Sequence, residues 1–202
     1  MAFDGPDPLP GAIGLLESAI AYARFSLRAV TPAALHRPTP CAQWDVAALL
    51  RHVTDSVAAL QEAADTGTVS LAPRREPPSE VPLVDDVRGR TCRLLGAWSA
   101  NDGADLVVVA GSPLTAAVLV ATGAVEIAVH GWDLAQACEH EHPIPESLAA
   151  ELLAHGRLLV HPEDRPRRFA RPVPVPDDAS AEARLVAWLG RAPDVRRLDL
   201  TS

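Results

Sequence analysis

A chain of 202 residues with 48% hydrophobic and 22% charged residues is long enough for one well-buried globular domain and too apolar to stay disordered. Its formal net charge of -8, with 26 acidic residues against 18 basic ones that are all arginine, disfavours nucleic acid or an anionic membrane as partner. Phosphate-rich surfaces need a local excess of cations.

Residues 1–11 lack the basic and then apolar run of a signal peptide, so a cytoplasmic, reduced protein is expected. Three cysteines (Cys41, Cys92 and Cys138) form no short-spaced pair, which leaves neither a CxxC redox couple nor a thiolate zinc knuckle. Residues 9–30 place Ile13, Leu16, Ile20 and Leu27 at helical spacing, and Thr31-Pro32 ends the run. The two prolines of residues 35–43 predict an ordered loop. Asp45 is the expected N-cap of a second helix, with Trp44 before it and Leu49 four residues in, the spacing of a hydrophobic staple. Val46, Leu50, Val53, Val57 and Leu60 then step by four and three until Gly67 stops the helix.

Residues 68–82, rich in Pro, Arg and Glu, predict a mobile loop, and residues 84–99 a third helix through Val87, Leu94, Leu95 and Trp98. Residues 106–110 have the make-up of a short strand. Ser112-Pro113 reads as an N-cap and first-position proline opening a fourth helix that continues to Cys138. The stretch 106–125 carries no charge, yet Gly111-Ser112-Pro113 interrupts it and leaves 114–125 too short to cross a bilayer. A fifth helix fits residues 145–160. Residues 165–178 alternate Pro with Val and Arg, as in an extended surface strap, and residues 179–189 form a short closing helix stopped by Gly190. The expected architecture is all-α: an up-and-down four-helix bundle over residues 1–164, with the strap and closing helix of 165–202 packed on the same domain.

The fourth helix carries the chemistry. From residue 106 to 138 its titratable side chains, cysteine aside, are Glu126, His130 and Asp133. At about 100° per residue, Glu126 and His130 lie about 40° apart, with Asp133 about 20° to the other side of Glu126. Three polar groups on one stripe of an apolar helix need a cation, a hydrogen-bond network or water, because an unpaired buried carboxylate costs several kcal/mol. Glu and His at i and i+4 can converge on one metal ion. A third ligand must come from another helix, and His52 on the flank of the second helix is the candidate. A His2Glu set leaves coordination positions open, as a catalytic zinc site needs. A plain side-chain hydrogen bond within the bundle is the other reading of the same spacing.

Residues 38–53, Pro-Thr-Pro-Cys-Ala-Gln-Trp-Asp-Val-Ala-Ala-Leu-Leu-Arg-His-Val, and residues 125–135, Val-Glu-Ile-Ala-Val-His-Gly-Trp-Asp-Leu-Ala, resemble the DinB-like superfamily. Within it they are similar to the branch related to the N-terminal domain of mycothiol-dependent maleylpyruvate isomerase. The tail, with Arg184-Leu-Val-Ala-Trp-Leu-Gly-Arg-Ala-Pro193, resembles an actinobacterial subgroup of uncharacterised metal-binding members. This resemblance implies a four-helix bundle holding a Zn or Ni ion on the positions of His52, Glu126 and His130. It also implies an open metal site used with a low-molecular-weight thiol such as mycothiol or bacillithiol. The maleylpyruvate isomerase carries a further C-terminal domain for which this chain has no room, so that particular isomerisation is not expected.

The leading expectation is a metal-dependent, thiol-using transferase or isomerase whose partners are a small thiol and an electrophilic substrate, in a monomer or homodimer. Alternatives are a metal-dependent hydrolase and a bundle that binds metal or ligand without catalysis. Asp133 is the candidate catalytic residue, as the base of a hydrolase or facing the substrate; it could instead orient a ligand imidazole or be solvated on the helix surface. Asp45 is expected as a cap, Trp44 and Trp132 as packing anchors around the pocket, and Cys41, just upstream of the second helix, as a buried inert thiol or, in the other reading, a thiol near the metal. His140 and His142, in Glu-His-Glu-His-Pro, could bind metal adventitiously but fall in a polar loop. Arg165, Arg167, Arg168 and Arg171 form a basic cluster, either a clamp for an anionic substrate or part of the solvated strap.

Overall fold

The computed structural model describes residues 8–41, 44–70, 82–100, 105–165 and 169–193. Four long helices, α1 (Pro8–Ser26), α2 (Val46–Thr66), α3 (Leu83–Ser99) and α4 (Ala116–Ala137), form the bundle, followed by α5 (Glu146–Leu159) and the short α6 (Ala181–Trp188). Round the bundle α1 packs on α4, α4 on α2, α2 on α3, and α3 back on α1, while α5 sits between α4 and α6. Facing pairs give directions. His52, Ser56 and Leu60 of α2 meet Glu126, Glu126 again and Gly123 of α4, so these two helices are antiparallel.

Local chemistry accounts for the helix ends. Asp45 caps α2 by accepting the Ala48 N–H at 2.7 Å, and Gly67, at φ 69°, closes it with its N–H on the Ala63 carbonyl. α1 gives way to a 3-10 turn, Leu27–Ala29, just ahead of Thr31-Pro32. Ser180 caps α6 by accepting the Ala183 N–H.

The helical expectation needs one addition, a small sheet. β1 (Thr68–Val69) pairs in parallel with β2 (Leu106–Val109), which pairs antiparallel with β3 (Ser112–Thr115). Thr68 and Val69 therefore leave the predicted loop for a strand, and residues 71–81 of that loop lie outside the described residues. Ser112-Pro113 does not open α4. Ala110 (φ 50°) and Gly111 (φ 83°) make a two-residue hairpin turn, and the ladder to β2 captures residues 112–115 before the helix starts at Ala116. Pro113, with no N–H to give, is tolerated because β3 is an edge strand.

α4 is the central helix. It is long and apolar enough to cross a membrane, but 78% of its apolar 18-residue window is buried inside the protein, as a core helix should be. Two glycines let its neighbours approach. A Cβ on Gly131 would lie 2.9 Å from the Cα of Ala23 in α1, and one on Gly123 would lie 2.4 Å from Leu60 Cδ1 in α2. α4 is thus clamped between α1 and α2, and its polar stripe is set in a rigid frame.

Candidate metal centre

The site forms where α2 crosses α4. The Asp45 cap starts α2 so that His52 falls nearly two turns in, facing the α4 stripe. The His52 imidazole Nε2 and Glu126 Oε1 are in direct contact. His130 Nε2 lies 3.3 Å from the same oxygen, and the Ser56 hydroxyl donates to it at 3.4 Å. Donor atoms of His52, Glu126 and His130 all fall within 4.8 Å of one another. Sequence reasoning named these three residues, and the fold brings them together.

Exposure divides the cluster into an open and a closed side. The side chains of His52 and Glu126 are 32% and 31% exposed, whereas His130 is 6% exposed and Asp133 fully buried. Trp44 walls the site, with its ring centroid 4.4 Å from that of His52 and 6.0 Å from that of His130. The two imidazoles meet edge to face at 5.0 Å. Trp132, by contrast, is buried and donates from Nε1 to Glu182 of α6 at 2.6 Å; it fastens the closing helix.

Asp133 faces inward, behind His130. Its Oδ2 lies 2.9 Å from His130 Nδ1. An ionised carboxylate only accepts hydrogen bonds, so Nδ1 carries the proton and Nε2 is turned toward Glu126. Arg191 completes the arrangement, donating from Nη2 to Asp133 Oδ2 at 2.8 Å and from Nε to Oδ1 at 3.2 Å. The contacts run in sequence from His52 through Glu126, His130 and Asp133 to Arg191, with Asp133 the most buried member.

Charge within this row sets the ionisation of its members. Burial opposes it, but the His130 charge and the hydrogen bonds from both imidazoles hold the Glu126 carboxyl well below the ordinary carboxylate range. Burial likewise works against the His130 cation, yet Glu126 on one side and Asp133 on the other raise it to about 9. Asp133 is lowered against its own burial by the His130 hydrogen bond and the Arg191 charge.

The donor set suits a divalent transition metal. Two neutral imidazoles and one carboxylate are borderline-soft and hard donors of the kind zinc and nickel accept. Tetrahedral zinc, with bonds of about 2.0–2.1 Å, sets its ligand atoms roughly 3.3 Å apart, the separation found between His130 and Glu126. The three residues would supply three ligands, which leaves a four-coordinate set incomplete by itself, and the inner imidazole has the carboxylate partner that metal-bound histidines usually have.

Cys41 lies beside the inner part of the row, its thiol within 4.8 Å of donor atoms of His130 and Asp133, and burial pushes that thiol up, keeping it protonated. Beside the exposed Glu139 and Glu141, His140 and His142 lie half-buried in the loop between α4 and α5. They stack with Phe25 and, for His142, with Tyr22, away from the metal candidates. Arg165 donates to the Trp188 carbonyl and covers the Trp188 ring, which ties it to the strap; Arg171 is exposed, and Arg167 and Arg168 lie outside the described residues.

Arg191 and Ser56 were missed at the level of sequence. A signal for Arg191 existed: a carboxylate on the most apolar helix of the chain needs a cation, and Gly190-Arg191 ends the last predicted helix.

The chain matches the family described as the mycothiol maleylpyruvate isomerase N-terminal domain over residues 16–135. That is more than half of its length, and the chain belongs to this DinB-like helical family. Two relatives from Mycobacterium tuberculosis, strains CDC 1551 / Oshkosh and ATCC 25618 / H37Rv, are 28% identical over 159 residues, covering 76% of this chain and 83% of theirs; both are named uncharacterised proteins. No solved structure matches the chain.

Proposed function

We propose that this member of the mycothiol maleylpyruvate isomerase N-terminal domain family is a divalent-metal enzyme that presents a small thiol, of the mycothiol type, to an electrophilic substrate as a transferase or isomerase. The observation that carries the reading is the convergence of His52, Glu126 and His130 donor atoms within 4.8 Å of one another. The family's description supports the thiol. A divalent ion held there would supply Lewis-acid chemistry, stabilising the thiolate form of a thiol at neutral pH.

The chain's own residues would do the following. His130, fixed from behind by Asp133, turns Nε2 outward. Glu126 contributes the negative charge that attracts a cation, and Ser56 steadies its oxygen. His52 and Trp44 line the open edge, where Trp44 limits how a substrate or thiol can lie against the imidazoles. A hydrolytic enzyme would need a free carboxylate base at the site. Asp133 cannot serve, because both its oxygens are engaged and it is fully buried.

Cobalt substitution tests the reading. A small thiol added at neutral pH is expected to give a new sulfur-to-cobalt charge-transfer band, absent from His52→Ala protein. No band across several thiols, with cobalt bound, would leave the non-catalytic bundle as the better account.

A further inference from the structure

The family match ends at residue 135, yet the row of charges continues into residue 191. Arg191 is 9% exposed, and its guanidinium holds both oxygens of Asp133 while its third nitrogen, Nη1, donates to the Leu189 carbonyl at 3.1 Å. Such a two-pronged grip fixes the plane of a carboxylate as well as its charge. Because Asp133 Oδ2 also accepts from His130 Nδ1, fixing that plane fixes the imidazole.

The segment that delivers Arg191 is itself anchored. Trp132, the residue before Asp133, donates to Glu182, and Glu146 of α5 accepts the N–H of Ala181 at the start of α6. At the far end of α6, Gly190 takes φ 82° and the Arg191 N–H returns to the Val186 carbonyl at 2.9 Å. This turn points the arginine back under α4. Three consecutive functions therefore lie within four residues of α4: His130 faces the candidate metal, Trp132 holds α6, and Asp133 receives the arginine that α6 presents.

We propose that Arg191 is a positioning residue for the metal centre: by gripping Asp133 it holds His130 in the ring orientation that turns Nε2 toward Glu126 and His52, so the docked C-terminal segment completes the site. The inference rests on His52, Glu126 and His130 being the metal ligands. Losing an outer partner of a metal-bound histidine typically lowers affinity about 10–100-fold. Arg191 acts one step further out, through Asp133, so Arg191→Ala should fall toward the lower end of that range, about 10-fold, and Arg191→Lys, which keeps the charge and loses the fork, by less.

The test uses the full-length chain, with cobalt affinity measured by chelator competition for wild type, Arg191→Ala, Arg191→Lys and His52→Ala. Helical content and melting are followed in parallel. In the metal-free proteins, the imidazole N–H signal of His130 reports whether the ring is still held. The expected result is graded loss of affinity, Ala beyond Lys, with helical content kept in at least the Lys protein and a broadened His130 signal. Should Arg191→Ala prove unfolded, the Lys protein alone decides. Unchanged affinity in folded Arg191 variants, against clear loss in His52→Ala, overturns the positioning role and leaves the metal site standing. Loss in none of the variants, His52→Ala included, overturns both.

Discussion

Glu126 sits between two imidazoles, and each of its roles can be separated by substitution. Glu126→Gln keeps the size and removes the charge. Metal affinity is expected to fall by more than the roughly 10–100-fold that loss of an outer partner brings. The fold, whose Glu126 side chain is 31% exposed, should lose only about 1 kcal/mol, or roughly 2–4 °C in melting midpoint for a chain of this size. A variant that unfolds while metal per folded chain stays constant would make Glu126 a structural residue. His130 carries the pH dependence. Its folded value is raised from 6.5 to about 9, so in metal-free protein its stabilising pairing is fully present below about 6.5 and is lost as pH rises through about 9. The carboxyls of Glu126 and Asp133 are lowered, so their contribution holds at neutral pH and is lost on acidification through their depressed values. A metal needs the neutral imidazole and must displace that proton. Binding at pH 7 should therefore release protons, seen by calorimetry in buffers of different ionisation heat, and affinity should climb with pH until about 9. Binding without proton release would remove His130 from the ligand set.

Helix by helix, much of the architecture was legible. The α2 cap at Asp45, its apolar steps and its Gly67 stop follow from local rules, and so do the extents of α3 and α5 to within a residue or so. The polar stripe of α4 could be placed by angle alone. What could not be read was non-local. The start of α4 depended on a hairpin partner, since the same Ser-Pro pair suits a helix cap or an edge strand until β2 pairs with it. Arg191 depended on a contact between residues 58 positions apart. The packing of α1 and α2 onto α4 makes a prediction of its own. Gly123→Ala meets the end of a flexible leucine, whereas Gly131→Ala meets the backbone Cα of Ala23. Although the contact at Gly123 is shorter, Leu60 can turn aside, and the helix gains up to about 1 kcal/mol from the alanine. Gly131→Ala should cost about 1–3 kcal/mol through overpacking, read as a lower thermal midpoint. A larger loss for Gly123→Ala than for Gly131→Ala would contradict the clamped geometry.

Taken whole, the molecule is a helical bundle with its polar groups concentrated where α2, α4 and the C-terminal segment meet. An apolar central helix carrying Glu126, His130 and Asp133 is unfavourable unless each group is paired, and the fold supplies His52 and Ser56 from one side and Arg191 from the other. The inner half of the row is buried and paired, while the outer half is about one-third exposed. This asymmetry is what a bound cation would complete, and metal binding is what would separate the bundle from one held only by internal hydrogen bonds. The most direct measurement is metal content of the purified full-length chain after zinc or nickel loading and gel filtration, for wild type, His52→Ala and His130→Ala. The account predicts about one ion per wild-type chain, as three converging ligands require, and loss of most of it in both variants with helical content retained. Full metal retention in both folded variants, or no metal in the wild type, would contradict it.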